Sequence, residues 1–459
     1  MNSLELQPTT EQIKRTYCSD TIGRNQGLHK FIELLNMIND SCVIALDGSW
    51  GSGKTFFIKQ AKMVFDAFNP FITIYETDND EAIKAVWNAA HNRTPVDLNP
   101  CVSVYYDAWE NDNDDDPLLS IIYEILKSVD TDYSFKADIK LIEIAAAIAE
   151  LLTGKKVHAL IDAVKRDDPF AYIKSNRDMK ETITEFFDSL LPEQGDRLIV
   201  YVDELDRCKP SFAVKLLERI KHYFSNDRII FVLSVNSHEL QNTVRQYYGN
   251  EFDACRYLDR FFDLRIELPP ANMQRYYRCL AFEENSYVYD TVAFEVIRQY
   301  HFELREIAKY VRLIKIAAYV PTHDSNRYDF SFSEGTGNYF CLAMVVPIMI
   351  GLKMHNATQY KKFVEGKDSS PLIDIIGKGD IGTSLCKSLL GRKETYETNQ
   401  DGNTIVSLSD KLNMVYDALF VQNYQSIYEI NIGSASFNKE TKMMLMQTAS
   451  LLSGFANYS

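Results

Sequence analysis

GSWGSGKT, at residues 48–55, is the stretch whose reading decides the fold, with the apolar run CVIAL at 42–46 before it and a helical pattern from Thr55 to Phe68 after it. It fits G-x-x-x-x-G-K-[ST], the phosphate-binding loop. Glycines there let the backbone wrap a phosphate with its N–H groups turned inward, and the following helix adds the positive end of its dipole. Gly48, Ser49, Trp50, Gly51, Ser52, Gly53, Lys54, Thr55 and Phe56 are therefore candidate nucleotide-binding residues. Lys54 would reach the β- and γ-phosphates and Thr55 would ligate Mg²⁺. A chance glycine turn is the alternative; a strand pattern before the loop and a helix after it weigh against that.

The matching acidic element lies downstream. RLIVYV at 197–202 is an apolar strand ending in Asp203 and Glu204. Asp203 would hold Mg²⁺ through water, and Glu204 would polarise the water that attacks the γ-phosphate, since catalysis of this kind rests on positioning and charge stabilisation. Taken alone, the run reads equally as a core strand with a polar exit turn; the upstream loop tips the balance. Glu204 has no metal-holding task of its own, which favours hydrolysis over binding alone.

Outward from these two motifs, strands are expected at 101–106, 229–235 and 264–268, and helices at 20–39, 118–129, 211–224 (Ser211 as N-cap) and 237–248. Apolar, unalternating strands separated by helices predict an α/β fold, a parallel sheet covered on both faces. Residues 115–190 read as a helical insertion. After Pro270 the strand signals fade and helices follow, including 302–318, with 322–338 and 394–407 as flexible segments. The expected domains are a P-loop NTPase core at 1–270 with its insertion, and an all-α C-terminal region at 271–459.

Composition narrows the functions. The 459-residue chain is 46% hydrophobic, enough for a large core, and carries a net charge of −15. An acidic surface repels phosphate backbones, so a nucleic-acid partner is disfavoured. The densest acidic run, Glu110 to Asp116, reads as a solvated loop. Eight scattered cysteines without metal-ligand spacing fit a reducing, cytoplasmic setting. The N-terminus is polar. Residues 139–152 carry charges and 339–352 number too few for a span of about 20 residues, so no membrane-spanning helix is expected.

Five stretches in combination resemble the KAP family of P-loop NTPases: ALDGSWGSGKT at 45–55, YDAWE at 106–110, DELDRCKP at 203–210, FVLSVN at 231–236 and YLDRFF at 257–262 followed by Leu268 and Pro269. The resemblance covers about residues 20–320. It implies an additional-strand P-loop sheet with a helical insertion, ATP rather than GTP as ligand, and Mg²⁺. It also implies that Asn236, where the family often has Asp, orients the attacking water as a sensor, and that Arg305 contacts the γ-phosphate as a second sensor. Arg207, Arg256 and Arg260 are candidates for a finger acting on a neighbouring subunit, with an ion pair to Asp206 or Glu204 as the alternative for Arg207. Trp50 and Trp109 read as packing residues. The expected function is an ATP-hydrolysing switch for partner binding or assembly, acting on a homo-oligomer or protein partner through the C-terminal region, in a setting of bacterial anti-phage defence. The competing function is a scaffold that oligomerises on ATP with little turnover.

Overall fold

A computed structural model describes residues 7–71, 78–91, 96–132, 144, 148, 181–191, 195–224, 227–280, 287–321, 328–330, 335–377, 407–424 and 428–450. The chain divides into two compact units, one spanning Gln7–Asn272 and the other running from Met273.

The first unit is built on five strands: β1 (Cys42–Asp47), β2 (Cys101–Asp107), β3 (Arg197–Asp203), β4 (Ile229–Val235) and β5 (Leu264–Glu267). They pair in the order β2-β3-β4-β1-β5, every pair parallel. β4 thus separates the strand that feeds the glycine loop from the strand that carries Asp203, which makes β4 the additional strand. Every residue of β4 is buried, as a central strand covered on both faces requires. Alternate side chains feed two cores: Leu198, Val200 and Val202 of β3 enter one, and Ile199 and Tyr201 the other.

Helices α1 (Thr10–Cys18), α2 (Asn25–Met37), α3 (Lys54–Phe68) and α4 (Asp78–Ala90) supply side chains to the second core, including Tyr17, Leu28, Phe57 and Trp87. Helix α5 (Pro117–Asp132), the helical residues 181–191 (α6) and α7 (Pro210–Tyr223) supply the first core. α8 (Ser237–Tyr248) follows β4. The polar N-terminus conceals a helix: Thr9 caps α1, and Ile13, Thr16 and Tyr17 form its buried face. Ser211 does not cap α7. The N-cap is Lys209 and Pro210 sits at the first helical position, where its fixed φ suits a helix start. Of the expected insertion at 115–190, α5, Ile144, Ile148 and 181–190 are described, and most of the apolar stretch 139–152 lies outside the described residues. The acidic run is no mere solvated loop: Asp116 is buried, paired with Lys215 (3.0 Å) and Arg219 (2.8 Å).

The second unit is mainly helical, including α9 (Leu304–Ala318), but adds two short antiparallel strand pairs to the expected helices: β6 (Tyr319–Pro321) with β7 (Tyr328–Phe330), and β8 (Glu429–Ile432) with β9 (Ala435–Asn438). Part of the expected flexible segment 322–338 is therefore structured, because β7 pairs with β6 and Gly337 packs against the Ser436 backbone. The remainder, 322–327 and 331–334, lies outside the described residues, as does 394–406. The apolar stretch at 339–352 belongs to a longer helix than its 14 residues indicate, α10 (Thr336–His355, 20 residues). It continues past Pro347 because a π-helical turn at Cys341–Val345 precedes the proline, and such a widened turn accommodates a missing N–H. Among the described residues it is the one helix long and apolar enough to cross a membrane, and 78% of its apolar window is buried inside the protein.

Candidate nucleotide site

In a parallel sheet all the carboxyl ends lie on one edge, and ligands bind there. The ends of β1, β2, β3 and β4 bring Gly48, Asp107, Asp203 and Asn236 to that edge. The loop backbone explains its glycines. Gly51 and Gly53 have φ of 81° and 95°, a region that side chains disfavour. A Cβ on Gly48 would meet the Ser52 hydroxyl at 3.0 Å and Leu268 at 3.2 Å.

Lys54 donates to the carbonyls of Gly48 (2.7 Å) and Ser49 (3.2 Å), so its ammonium lies folded along the loop. Burial lowers its pKa, and the carboxylates of Asp206, Asp203 and Glu204 oppose that shift. A phosphate in the loop would supply the anionic partner that burial makes costly to lack.

Asp203 is the hub. Its Oδ2 accepts from the Thr55 hydroxyl (2.7 Å) and the Tyr105 hydroxyl (3.1 Å), and its Oδ1 from the Ser234 hydroxyl (2.7 Å). Residues 148 positions apart, Thr55 and Asp203, are thereby brought into direct contact. An alcohol and a carboxylate side by side are hard oxygen donors of the type Mg²⁺ takes, with water filling most of its octahedron. These two residues would hold the metal, which when bound would neutralise charge between the phosphates.

Glu204 sits at φ 60°, an unusual left-handed conformation for a non-glycine, and opens the 3-10 turn Leu205–Arg207. Its carboxyl pKa is pushed up to about 7, first by burial and then by the neighbouring charge of Asp203, with Arg207 opposing. Arg207 folds back to pair with it. Asn236 caps α8, its side-chain oxygen accepting from the N–H groups of His238 (3.2 Å) and Glu239 (3.3 Å). Phe56 is buried at the start of α3. Arg256 and Arg260 are exposed on the segment before β5, and Arg305 lies in the first turn of α9, in the second unit.

Three supporting residues escape the sequence reading. Arg24 is buried and its guanidinium donates to the Ser52 carbonyl at 2.6 Å, bracing the loop from below; nothing in its neighbourhood of sequence marks it. Tyr105 and Ser234 both brace Asp203, and the one visible signal is a hydroxyl inside an otherwise apolar strand. Trp50 and Trp109 are not packing residues: they are 48% and 53% exposed, while the third tryptophan, Trp87, is fully buried.

A parallel sheet in the order 5-1-4-3-2, a glycine loop opening a helix, and a strand-end Asp in contact with the loop's Thr define a P-loop NTPase that binds nucleotide. The KAP family P-loop domain matches residues 24–317, well over half of the chain, and the chain belongs to that family. Among solved structures, the chain is similar to the Aeropyrum pernix ORC2 protein in its ADPNP–ADP complexes, with 12% identity and a TM-score of 0.33 over 86% of this chain and 92% of that one. It is also similar to C. elegans PCH-2, with 10% identity and a TM-score of 0.21 over 89% of this chain and 69% of that one. No curated protein matches.

Proposed function

We propose that the chain is a Mg²⁺-dependent ATPase whose cycle acts as a switch for partner binding or assembly. The observation that carries this is the contact between Thr55 and Asp203, with Glu204 adjacent and its proton affinity raised toward neutrality. Lys54 and the loop amides bind the phosphates, Asp203 and Thr55 hold the metal, and Glu204 takes the proton of the attacking water, a task suited to a pKa near the working pH. With its oxygen committed to the cap, Asn236 would orient that water through its amide N–H. Arg305 is proposed as the second sensor and the helical region from about residue 271 as the transmitter to a homo-oligomer or protein partner. A role in bacterial anti-phage defence is part of the proposal and rests on family resemblance; the cytoplasmic setting rests on the scattered cysteines.

A second reading is a scaffold that assembles on ATP with little turnover, and it stays open because the Glu204 carboxylate is paired with Arg207 and must still be able to take a proton for turnover to occur. Steady-state phosphate release with Mg-ATP, beside Glu204→Gln, decides. Turnover that the variant loses while still binding ATP supports the ATPase; turnover retained by the variant removes Glu204 from the mechanism. An absence of turnover in the native chain, together with an ATP-dependent increase in size, supports the scaffold.

A further inference from the structure

Three chain segments converge on one cation. The 3-10 turn after β3 folds Arg207 back onto Glu204, its N–H donating to the Glu204 carbonyl at 3.0 Å and its guanidinium pairing with the Glu204 carboxylate. From the glycine loop comes Trp50, whose ring lies 5.9 Å from the guanidinium and whose indole N–H donates to Asp206 of the same turn at 2.6 Å. From the exit of β2 comes Trp109, with its ring at 5.5 Å. Trp109 is held in place by its backbone: its N–H donates to Asp107 (3.1 Å), and the preceding Ala108 N–H donates to the Asp203 carbonyl (3.0 Å). Both rings are about half exposed, yet the Arg207 side chain between them is 24% exposed. An indole face within about 6 Å of a guanidinium attracts it electrostatically.

We propose that Trp50 and Trp109 form an aromatic seat for Arg207, and that Arg207, acting within its own chain, is the positioning residue that fixes the Glu204 carboxylate. The proposal rests on the assignment of Glu204 as the catalytic carboxylate and deepens it. An arginine that served as a finger on a neighbouring copy would need its guanidinium projecting outward; this one is committed to an ion pair and two rings of its own chain. The seat also explains two exposed tryptophans on an acidic surface: they shield the cation that Glu204 leans on.

The test uses the full chain. Loss of one ring at a partly exposed site weakens a cation–π contact by about 0.5–1 kcal/mol, so Trp109→Ala should lower kcat about two- to five-fold, while the Kd for a fluorescent ATP analogue stays within about two-fold. Trp109→Phe should restore kcat, because a phenyl face still attracts the cation. A raised Kd in Trp109→Ala with unchanged kcat would make Trp109 a platform for the nucleotide base and overturn the seat. Mixing Glu204→Gln with Arg207→Gln provides the second check: turnover restored in the mixture would show Arg207 acting on a neighbouring copy and overturn the proposal, and continued inactivity supports it. If the native chain shows no turnover, the ATPase reading fails separately, and the seat is read by emission. Arg207→Gln should then alter the fluorescence of the two exposed tryptophans where the remote Arg228→Gln does not; equal spectra in both would sink the seat.

Discussion

Acid should unlatch the core beneath the glycine loop, and His29 sets how steeply. His29 is 5% exposed, in α2, with a ring nitrogen 3.0 Å from the Tyr17 hydroxyl and its ring 5.0 Å from Trp87. Its pKa is lowered from 6.5 to about 4, first by burial and then by His91, with Glu33 and Asp20 opposing. The unfolded chain therefore binds a proton between these two values that the folded chain refuses, and stability rises with pH wherever the unfolded state holds more protons. The contribution of neutral His29 is complete above about pH 6.5, declines as pH falls from there toward 4, and is flat below. With those two pKa values, linkage gives a loss of about 2 kcal/mol between about pH 7 and about pH 5. The assay is urea unfolding at both values, followed by the emission of buried Trp87, for the native chain and for His29→Gln. Glutamine does not titrate, so the variant, whatever its absolute stability, should lose about 2 kcal/mol less across the interval. Equal losses in the two proteins would refute the reasoning.

Other outcomes follow from the site. Arg24→Ala removes the 2.6 Å bond to the Ser52 carbonyl; hydrogen bonds to a charged group contribute about 1.5–3 kcal/mol, so ATP affinity should fall by roughly ten-fold or more, with partial recovery in Arg24→Lys, and an unchanged equilibrium Kd would remove Arg24 from the loop's support. Gly53→Ala places a side chain at φ 95°, strained by about 1–2 kcal/mol; affinity for a fluorescent ATP analogue should fall about five- to thirty-fold while circular dichroism stays native, and native affinity would mean the loop relaxes. Ser234→Ala deletes the 2.7 Å bond to Asp203 and should raise the Mg²⁺ concentration for half-maximal turnover by roughly ten-fold or more, given about 1.5–3 kcal/mol for a charge-assisted bond; an identical Mg²⁺ curve would show that Thr55 and Tyr105 suffice.

The local sequence carried much of this protein. The loop at 48–55 and the strand ending at Asp203 and Glu204 were legible because phosphate binding demands glycines and a lysine at fixed spacing, and a buried parallel strand demands an unbroken apolar run. The strands from β1 to β5 and α8 were legible for the same reason, since their periodicity is local. Helices α1 and α4 were not, because each buries one narrow face and is otherwise polar. What only the tertiary structure decided are the relations between distant positions. Sheet order places β4 between β1 and β3 and so carries Ser234 to Asp203. The crossover brings Thr55 across 148 residues to the same carboxylate. Trp50 and Trp109, by residue type the natural core-fillers, are held outside by the loop and the β2 exit turn, where their rings lie 5.9 and 5.5 Å from the Arg207 guanidinium. A residue's chemistry is written in its name, but its partners are set by strand pairing and chain crossing, which hydrophobic periodicity does not encode.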